Sequence, residues 1–330
     1  MMNQDLEPLE PERGVELYLR QRQDDAADST IRAHRGRLKH FIRWCDQEDI
    51  SNLNQLTGRR LYEYRLWRKE DGDLNTTSVR TQLSTLRAFV KFLETIDAVP
   101  DNLHKDISIP ALKDGEGVRD VMLDGDRAEE ILSYLSRFEY ASRRHVILDI
   151  LWKTGMRTGA LHSLDVEDVD REKMALHVRH RPESGTSLKN GNRGERMVAT
   201  SEKTMQLIED WIAHNRPDVS DDYDRNPLMS TESGRLTKGS VRKSVYRVTR
   251  PCAINDDCCG KKGEFPSKCP ASHSPHALRR GSITYHLKQD VPKQVVSDRT
   301  NVSPDVLDEH YNEMTHEEQM EQRREHLPDI

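Results

Sequence analysis

The stretch of sequence that decides the fold reads, from residue 274 to residue 287, Ser-Pro-His-Ala-Leu-Arg-Arg-Gly-Ser-Ile-Thr-Tyr-His-Leu. Ser274 before Pro275 predicts the start of a helix, because serine is a favoured N-cap and proline suits the first helical turn. On this helix His276 and Arg279 lie at i and i+3, so a proton-transfer group stands beside a permanent cation. By itself the pattern also suits a surface helix, and three further segments are needed to choose between the two interpretations.

The first of these segments surrounds Arg157. It follows a very apolar helix pattern at residues 140–153, and Gly155 predicts the left-handed cap that ends that helix. Arg157 then stands at the junction with a short helix over residues 158–164. A guanidinium in such a position needs a partner, because an unpaired buried charge is costly. The partner is either a structural carboxylate or, in a functional site, an oxyanion.

The second and third segments add a lysine and a tyrosine. Residues 174–179 and 195–199 alternate like β-strands, and the turn-forming run between them predicts a β-hairpin with Lys189 at its mobile tip. Most hairpin lysines only aid solubility, so Lys189 gains weight from the other residues and not by itself. Tyr311 follows on a helix that Ser303-Pro304 starts.

Size and composition indicate a folded protein with more than one domain. The chain has 330 residues, enough for two separate cores. It is 33% charged, with a mean hydropathy of −0.86, yet apolar residues recur at helical spacing through most of it. No apolar run approaches the roughly 20 residues that a membrane span needs, and the acidic start lacks the apolar core of a signal peptide. We therefore expect a cytoplasmic protein.

The apolar pattern predicts mainly α-helical structure with a small β-sheet or hairpin, an α+β protein in two parts. Helices in the first part are expected to be capped at residues 28–30 and 76–78. Proline and glycine then interrupt the periodicity. The predicted segments are a flexible N-terminus at 1–10, a helical domain at 11–100, a linker at 101–120, and a second domain at 121–330 with a cysteine-rich insertion at 251–274 and a last helix at 315–327.

Two acid-free clusters of cations stand out in a chain whose net charge is −6. Residues 32–43 contain five cations and residues 235–250 contain six, with no acid in either. A solvated surface is the alternative interpretation for each cluster alone. Together they predict a segregated basic surface suited to a DNA backbone. The candidate DNA-binding residues are Arg32, Arg35, Lys39, Arg43, Lys238, Arg242, Lys243 and Arg247.

The insertion at residues 251–274 contains four of the five cysteines. A long polar loop needs a cross-link to be ordered, and disulfides are rare in the cytoplasm. A structural zinc ion is therefore one interpretation and free thiols the other, since the spacing departs from the common zinc-binding pairs. The candidate ligands are Cys252, Cys258, Cys259, Cys269 and His273. Cys45 lies in a helix pattern and is expected to serve packing.

The order and spacing of five residues resemble the tyrosine recombinases, the phage-integrase family. The five residues are Arg157, Lys189, His276, Arg279 and Tyr311. The resemblance covers about residues 11–325. Within the family, the chain most resembles the salt-adapted archaeal integrases. It implies a SAM-like, DNA-binding core-binding domain followed by a catalytic domain with the DNA breaking-rejoining fold.

The resemblance also implies the chemistry of a site-specific DNA recombinase. Tyr311 would attack a DNA phosphodiester to give a 3′-phosphotyrosine and a free 5′-hydroxyl, with Arg157 and Arg279 holding the phosphate. His276 would accept the proton of Tyr311, and Lys189 would protonate the leaving oxygen. Neither ATP nor a catalytic metal is needed. The implied partners are double-stranded DNA at specific recombination sites and further copies of the chain, as a dimer or tetramer on DNA, with the last helix docking between protomers.

Two departures from the family pattern keep other functions open. Ala160 stands where members often carry an acidic residue, and Asn301-Val302-Ser303 replaces the usual Gly-His segment, so that Val302 takes the place of a second histidine or tryptophan. One alternative is therefore a weak or inactive DNA-binding regulator on the integrase fold. The other is a type IB topoisomerase-like strand transferase, against which the N-terminal helical domain argues.

Overall fold

The computed structural model describes residues 6–113, 121–254, 266–289 and 291–310, together with residues 317, 320 and 324. The chain divides into two compact units, Met1–Arg119 and Asp120–Ile330. Within the described part, no helix combines the length and apolar character that a membrane span requires.

In the part of the first unit that the structure describes, four α-helices surround one core. They are α1 (Pro11–Gln21), α2 (Asp28–Gln47), α3 (Gly58–Asp71) and α4 (Thr76–Glu94). Each helix buries apolar residues at three- and four-residue steps, which places them on one face. The centre is aromatic: Phe41 and Phe89 are fully buried, and their ring centroids lie 5.8 Å apart in an edge-to-face arrangement.

Two helix starts in this unit differ by one residue from the sequence prediction. Helix α2 begins at Asp28 itself, with Ala27 as the N-cap residue. Helix α4 is capped by Asn75, whose side-chain oxygen accepts from the Ser78 backbone N–H at 2.9 Å. Asparagine is at least as good a cap as threonine, so the helix extends to include Thr76.

The segments that flank the four helices pack on the same core. The backbone N–H of Glu7 donates to the Asp97 carbonyl, and the carbonyl of Leu9 accepts from Leu53. Leu103 and Ile107 are buried in the core of the unit. Residues 7–9 are therefore tied down where a flexible N-terminus was expected, and the first part of the predicted linker belongs to the packed unit.

In the described part of the second unit, eight further α-helices and five short strands have defined bounds. They are α5 (Gly125–Phe138), α6 (Arg143–Thr154), α7 (Thr158–Ser163), β1 (Val169–Asp170), β2 (Ala175–Val178), β3 (Arg196–Ala199), α8 (Glu202–Asp210), β4 (Ser230–Thr231), β5 (Gly234–Arg235), α9 (Lys238–Thr249), α10 (Pro275–Lys288), α11 (Lys293–Thr300) and α12 (Pro304–His310). The predicted fold class, mainly helical with a small antiparallel sheet, is confirmed.

Helix α6 forms the centre of this unit. It is buried along almost its whole length, and it packs against α5, α7, α8, α9 and α10. Trp152 is fully buried, and Gly155 caps the helix in the left-handed conformation with φ +61°. Gly155 fits because a left-handed residue without a Cβ carries no steric penalty. Gly155, the residue after the core helix, therefore lies next to α10.

The small sheet carries the predicted hairpin. Strands β1, β2 and β3 are antiparallel in that order, with Leu176 opposite Val198 and His177 opposite Met197. Residues 179–195 connect β2 to β3 and contain two single turns of 3-10 helix. The hairpin is therefore present, but its connection is a folded segment and not a simple turn.

A buried ion network holds the start of that connection. The Asp165 carboxylate is 1% exposed and accepts from Arg181 at 3.0 Å, Arg225 at 2.8 Å and Arg235 at 2.5 Å. Arg181 also forms a two-point pair with Asp168. Because these charges are paired and hydrogen-bonded, their burial is tolerated. The network fixes the first residues of the connection to the end of α7.

Candidate active site

Helix α10 begins as the sequence predicted. The Ser274 hydroxyl accepts from the Ala277 backbone N–H at 3.1 Å, and Pro275 occupies the first turn. His276 is exposed at the start of the helix, whereas Arg279, one turn later, is only 4% exposed. An arginine buried to that extent must be satisfied by hydrogen bonds.

Arg279 is satisfied in part by backbone carbonyls. Its guanidinium donates to the Gly155 carbonyl at 2.5 Å and to the Thr300 carbonyl at 2.9 Å. The first acceptor follows α6 and the second ends α11. Arg279 therefore joins three segments that are far apart in sequence.

Arg157 is bound in the same manner. It is the N-cap residue of α7, and its guanidinium donates to the Asn301 carbonyl at 2.8 Å. A backbone carbonyl is thus one partner of Arg157, which neither of the two partners expected from the sequence included. The unsatisfied carbonyls at a helix C-terminus carry partial negative charge and suit a cation.

Three arginines share the C-terminal end of α11. Arg196, Arg279 and Arg157 donate, in that order, to the successive carbonyls of residues 299–301, at 2.8, 2.9 and 2.8 Å. Adjacent carbonyls are close together, so the three guanidiniums are held near one another despite their like charge. The result is a fixed group of positive charges at the end of α11, suited to an oxyanion with several oxygens.

The charges around His276 act on its protonation. Partial burial lowers the pKa of the His276 imidazole, and the positive charges of Arg279, Arg280, Lys189 and Arg157 lower it further. The imidazole is therefore neutral at pH 7 and able to accept a proton. Arg157, Lys189 and Arg279, the three other predicted catalytic residues that the structure describes, thus lie near enough to His276 for their charges to act on its pKa.

Lys189 lies on an exposed turn in the connection between β2 and β3. Its neighbours are held: the Leu188 backbone N–H donates to His180 Nδ1 at 2.9 Å, and the Asn190 amide donates to Asn301 Oδ1 at 3.2 Å. The turn is thus hydrogen-bonded at both sides of the lysine, where the sequence predicted a mobile tip.

Two residues of this site were missed by sequence reasoning. Arg196 donates to the Gly194 and Arg299 carbonyls, and burial together with the charge of Arg157 lowers the pKa of its guanidinium to about 10. Asn301 accepts from Arg157 and from Asn190. Their partners are backbone carbonyls or distant amides, and no spacing in the sequence marks such contacts.

The two departures from the family pattern both lie in apolar packing. Ala160 is 5% exposed in the main core of the unit. Val302 is 6% exposed and packs in a small cluster with Ile283, Leu287, Val296 and Leu307. Val302 therefore takes part in the packing of α10 against α11 and α12.

Tyr311 lies outside the described residues, as does most of the predicted last helix at 315–327. The helix that leads to it, α12, is present, and Leu307 is fully buried in its first turns. The described chain thus reaches the residue before Tyr311 on a packed helix.

The predicted basic residues are on the surface. Arg32, Arg35, Lys39 and Arg43 of α2 are exposed, although Arg43 pairs with Asp71 of α3 and stacks on Trp67 at 4.9 Å. On α9 the exposed residues are Lys238, Arg242, Lys243 and Arg247. Lys243 and Arg247 line a cavity of about 470 Å³ with Arg143 and Arg144 of α6, so the basic surface extends beyond α9.

The cysteine-rich insertion is described in part. Cys269 is buried and Cys252 half-buried, and the His273 backbone exchanges hydrogen bonds with the Thr249 hydroxyl. Cys258 and Cys259 lie outside the described residues. Among those that are described, no three histidine, cysteine or acidic side chains lie close enough together to hold a metal. Cys45 is fully buried in the first unit.

The family follows from comparison with known proteins. Residues 16–95 match the phage integrase N-terminal SAM-like domain and residues 122–316 match the phage integrase family. The chain belongs to the phage integrase family, which confirms the predicted resemblance to the tyrosine recombinases and the predicted class of enzyme, whereas the narrower likeness to salt-adapted archaeal integrases stays a prediction.

Individual relatives are distant but cover most of the chain. The tyrosine recombinase XerC of Haemophilus influenzae strain Rd is 26% identical over 287 residues, 86% of either chain. The XerC of Vibrio cholerae is 23% identical over 281 residues, 85% of this chain and 77% of its own. A probable integrase/recombinase protein of Methanocaldococcus jannaschii is 21% identical over 301 residues, 88% of this chain and 84% of its own.

Solved structures share the fold. The Tn1549 transposon integrase in complex with a circular intermediate DNA superimposes with a TM-score of 0.67 at 18% identity, over 95% of this chain and 99% of its own. A lambda integrase dimer bound to a COC′ core site gives 0.63 at 14% identity, over 98% of this chain and 80% of that one.

Proposed function

We propose that this member of the family is a site-specific DNA recombinase that cleaves and rejoins DNA strands with Arg157, Lys189, His276, Arg279 and Tyr311 as its catalytic residues. The observation that carries the proposal is the gathering of four cations around the neutral imidazole of His276, with two of the arginines fixed on adjacent carbonyls. Such a group of charges suits a phosphodiester.

The proposed cleavage step is balanced between two proton transfers. The Tyr311 oxygen attacks phosphorus as His276 takes its proton, and the bond from phosphorus to the 5′-oxygen breaks. Lys189 gives a proton to that oxygen, which leaves as a 5′-hydroxyl. Rejoining is the reverse, with the 5′-hydroxyl of another strand as the nucleophile. The phosphotyrosine conserves the bond, so no ATP is consumed.

The arginines act on the transition state. Negative charge grows on the non-bridging oxygens as the tyrosine approaches, and Arg157 and Arg279 are placed by fixed carbonyls and need little reorganisation. Removing one preorganised donor of this kind costs roughly 3 kcal/mol at an oxyanion hole. We expect a loss of similar size here.

We further propose the partners of the chain. Exposed cations on α2 and α9 would contact the backbone of double-stranded DNA at a specific recombination site. The lambda integrase was solved as a dimer bound to a core site. By analogy, two or four copies of this chain would assemble on DNA, with the segment at 315–327 docking between protomers. The proposed location of the reaction is the nucleoid, in the cytoplasm.

We propose that the two domains have different roles, DNA binding and catalysis. Residues 11–100 would be the core-binding domain and residues 121–330 the catalytic domain. The N-terminal match to the SAM-like domain supports a recombinase over a topoisomerase-like strand transferase.

A nicked DNA duplex carrying the recombination site tests the function. Cleavage close to the nick releases a short strand that cannot be religated, so the protein becomes trapped on DNA and is seen by denaturing electrophoresis. Tyr311→Phe should abolish the adduct and leave DNA affinity unchanged. A regulator would bind without forming an adduct. A topoisomerase-like enzyme would relax supercoiled DNA that lacks the site.

A further inference from the structure

Asn301 contacts two parts of the proposed site at once. Its backbone carbonyl accepts from Arg157 at 2.8 Å, and its side-chain oxygen accepts from the Asn190 amide at 3.2 Å. Asn190 directly follows Lys189. One residue therefore links the arginine that would hold the phosphate to the turn that carries the lysine.

The conformation of Asn301 makes this double contact possible. It is the residue after the last turn of α11, with φ +54° and ψ +58°. Asparagine is among the few residues other than glycine that enter this left-handed region readily. Glycine, which stands at the corresponding position in the family pattern, would supply the carbonyl but no amide.

The connection that carries Lys189 is docked on the same helix end at a second place. A Cβ built on Gly194 would lie 3.3 Å from the Asn301 side-chain nitrogen, so the amide packs against the backbone there. The Arg196 guanidinium donates to both the Gly194 and the Arg299 carbonyls and so links the two segments. The turn with Lys189 is thus held between Asn301 on one side and the start of β3 on the other.

We propose that Asn301 is a positioning residue: its amide, bonded to Asn190, holds the Lys189 turn in register with Arg157. The proposal rests on the proposed function, in which Lys189 protonates the leaving 5′-oxygen. Proton transfer to a leaving group requires the donor within hydrogen-bond reach of one atom. A turn tied to the arginine clamp delivers the lysine to that atom, whereas a free turn does so only part of the time.

Two substitutions break the bond while sparing the rest. Asn301→Gly keeps the left-handed backbone and hence the carbonyl for Arg157, because glycine adopts φ +54° freely. Asn190→Ala removes the donor from the other side. Asn192→Ala is the matched control: Asn192 is an exposed asparagine of the same connection whose amide makes no hydrogen bond within the described part of the chain.

The test compares two DNA substrates. One has an ordinary phosphodiester at the cleaved bond, and in the other sulfur replaces the bridging 5′-oxygen. Sulfur leaves as a thiolate, which is stable near neutral pH and needs no proton. A variant that has lost only proton delivery is therefore slow on the first substrate and normal on the second, whereas general damage slows both.

We expect Asn301→Gly and Asn190→Ala each to slow cleavage of the ordinary substrate by about tenfold, the size of one lost hydrogen bond amplified by misplacement of a donor. The double variant should be no slower than the worse single variant, because both remove the same bond. Both should cleave the sulfur substrate at the wild-type rate, bind DNA normally, and contrast with Asn192→Ala, which stays wild-type throughout.

Cleavage of the ordinary substrate at the wild-type rate by both variants overturns the proposal, and so does a loss that persists on the sulfur substrate. Lys189→Ala tests the underlying role separately and should be rescued by sulfur. If it is not rescued, the role assigned to Lys189 under the proposed function is wrong, and the role of Asn301 falls with it.

Discussion

The proposed role of His276 as general base predicts how cleavage should respond to pH. Burial of the imidazole and the cations Arg279, Arg280, Lys189 and Arg157 all lower the pKa of His276 below its ordinary value of about 6.5. A general base must be neutral, and a lowered pKa keeps it neutral to lower pH. The second-order rate constant for cleavage, measured at DNA concentrations below saturation, should therefore stay level as pH falls through 6.5 and decline only further down.

The control for this prediction uses a neighbouring cation. Arg280→Gln removes one of the positive charges that lower the pKa of His276, so the decline should move to higher pH. His276→Gln should lower the plateau and remove this limb of the profile. A wild-type decline centred at or above pH 6.5 would contradict the role of the cations.

The site residues that could not be predicted from the sequence share one property. Arg157 and Arg279 were found because each follows a recognisable cap or helix start. Arg196 and Asn301 were not found, because their bonds run to backbone carbonyls and to a side chain about a hundred residues away. Every residue has a carbonyl, so the sequence carries no mark of which carbonyl will receive an arginine.

Helix α9 should contribute to DNA affinity through charge alone. Arg242, Lys243 and Arg247 are exposed on it, with no acidic residue among them. Each phosphate contact releases counterions, so the logarithm of affinity falls with the logarithm of salt concentration by about 0.9 per contact. Replacing all three by glutamine should weaken binding to every sequence and make this slope shallower by up to about three.

The control changes the same amount of charge elsewhere in the second unit. Lys173, Lys203 and Lys288 are exposed and lie outside both basic clusters. Their triple replacement by glutamine should leave the salt dependence much closer to that of the wild type. Equal effects of the two triple variants would mean that α9 is a solvated surface and not a DNA contact.

The cysteine-rich insertion remains a predicted zinc site. We expect elemental analysis of protein purified without a metal-binding tag to give about one zinc per chain, and Cys269→Ser to lose both the metal and thermal stability. Cys45→Ala, a change in the first unit, should keep the zinc. Protein without bound metal, fully active with all four insertion cysteines replaced by serine, would leave the insertion with free thiols only.

Elements were predicted best where local chemistry decides them. Ser274, Pro275 and Gly155 act on their own turns, and the structure has them in the expected roles. Helix α4 starts one residue early because Asn75 competes successfully as a cap. The contacts of the hairpin connection were not predicted, because its partners, Asp165 and the end of α11, lie outside the hairpin sequence.

Over the whole molecule, the two units have separate hydrophobic cores. The core of the first is formed by residues between Val15 and Ile107, and the main core of the second by residues between Leu123 and Leu278. A protein that ends after residue 113 should therefore fold by itself, with helical circular dichroism and one cooperative thermal transition.

A matched variant makes that experiment specific. Phe89 is fully buried at the centre of the first core. Phe89→Ala in the short protein should lower its free energy of unfolding by about 3–5 kcal/mol. Circular dichroism of a random coil in the unmutated fragment would show that the first unit depends on the rest of the chain.

The fold class and the family of the whole molecule could be predicted from the sequence. Apolar periodicity and the order of motifs can be recognised in a sequence, whereas individual contacts between distant residues cannot.

The carbonyls at the end of α11 have a consequence for how the sequence can change. Because backbone atoms receive Arg196, Arg279 and Arg157, no side-chain replacement at residues 299–301 can delete an acceptor. A replacement at these positions changes what the side chain contacts, but it leaves the three acceptors in place, provided that residue 301 keeps its left-handed backbone. A site anchored in this way can gain or lose a side-chain contact at residue 301, such as the one to Asn190, while its arginines keep their acceptors.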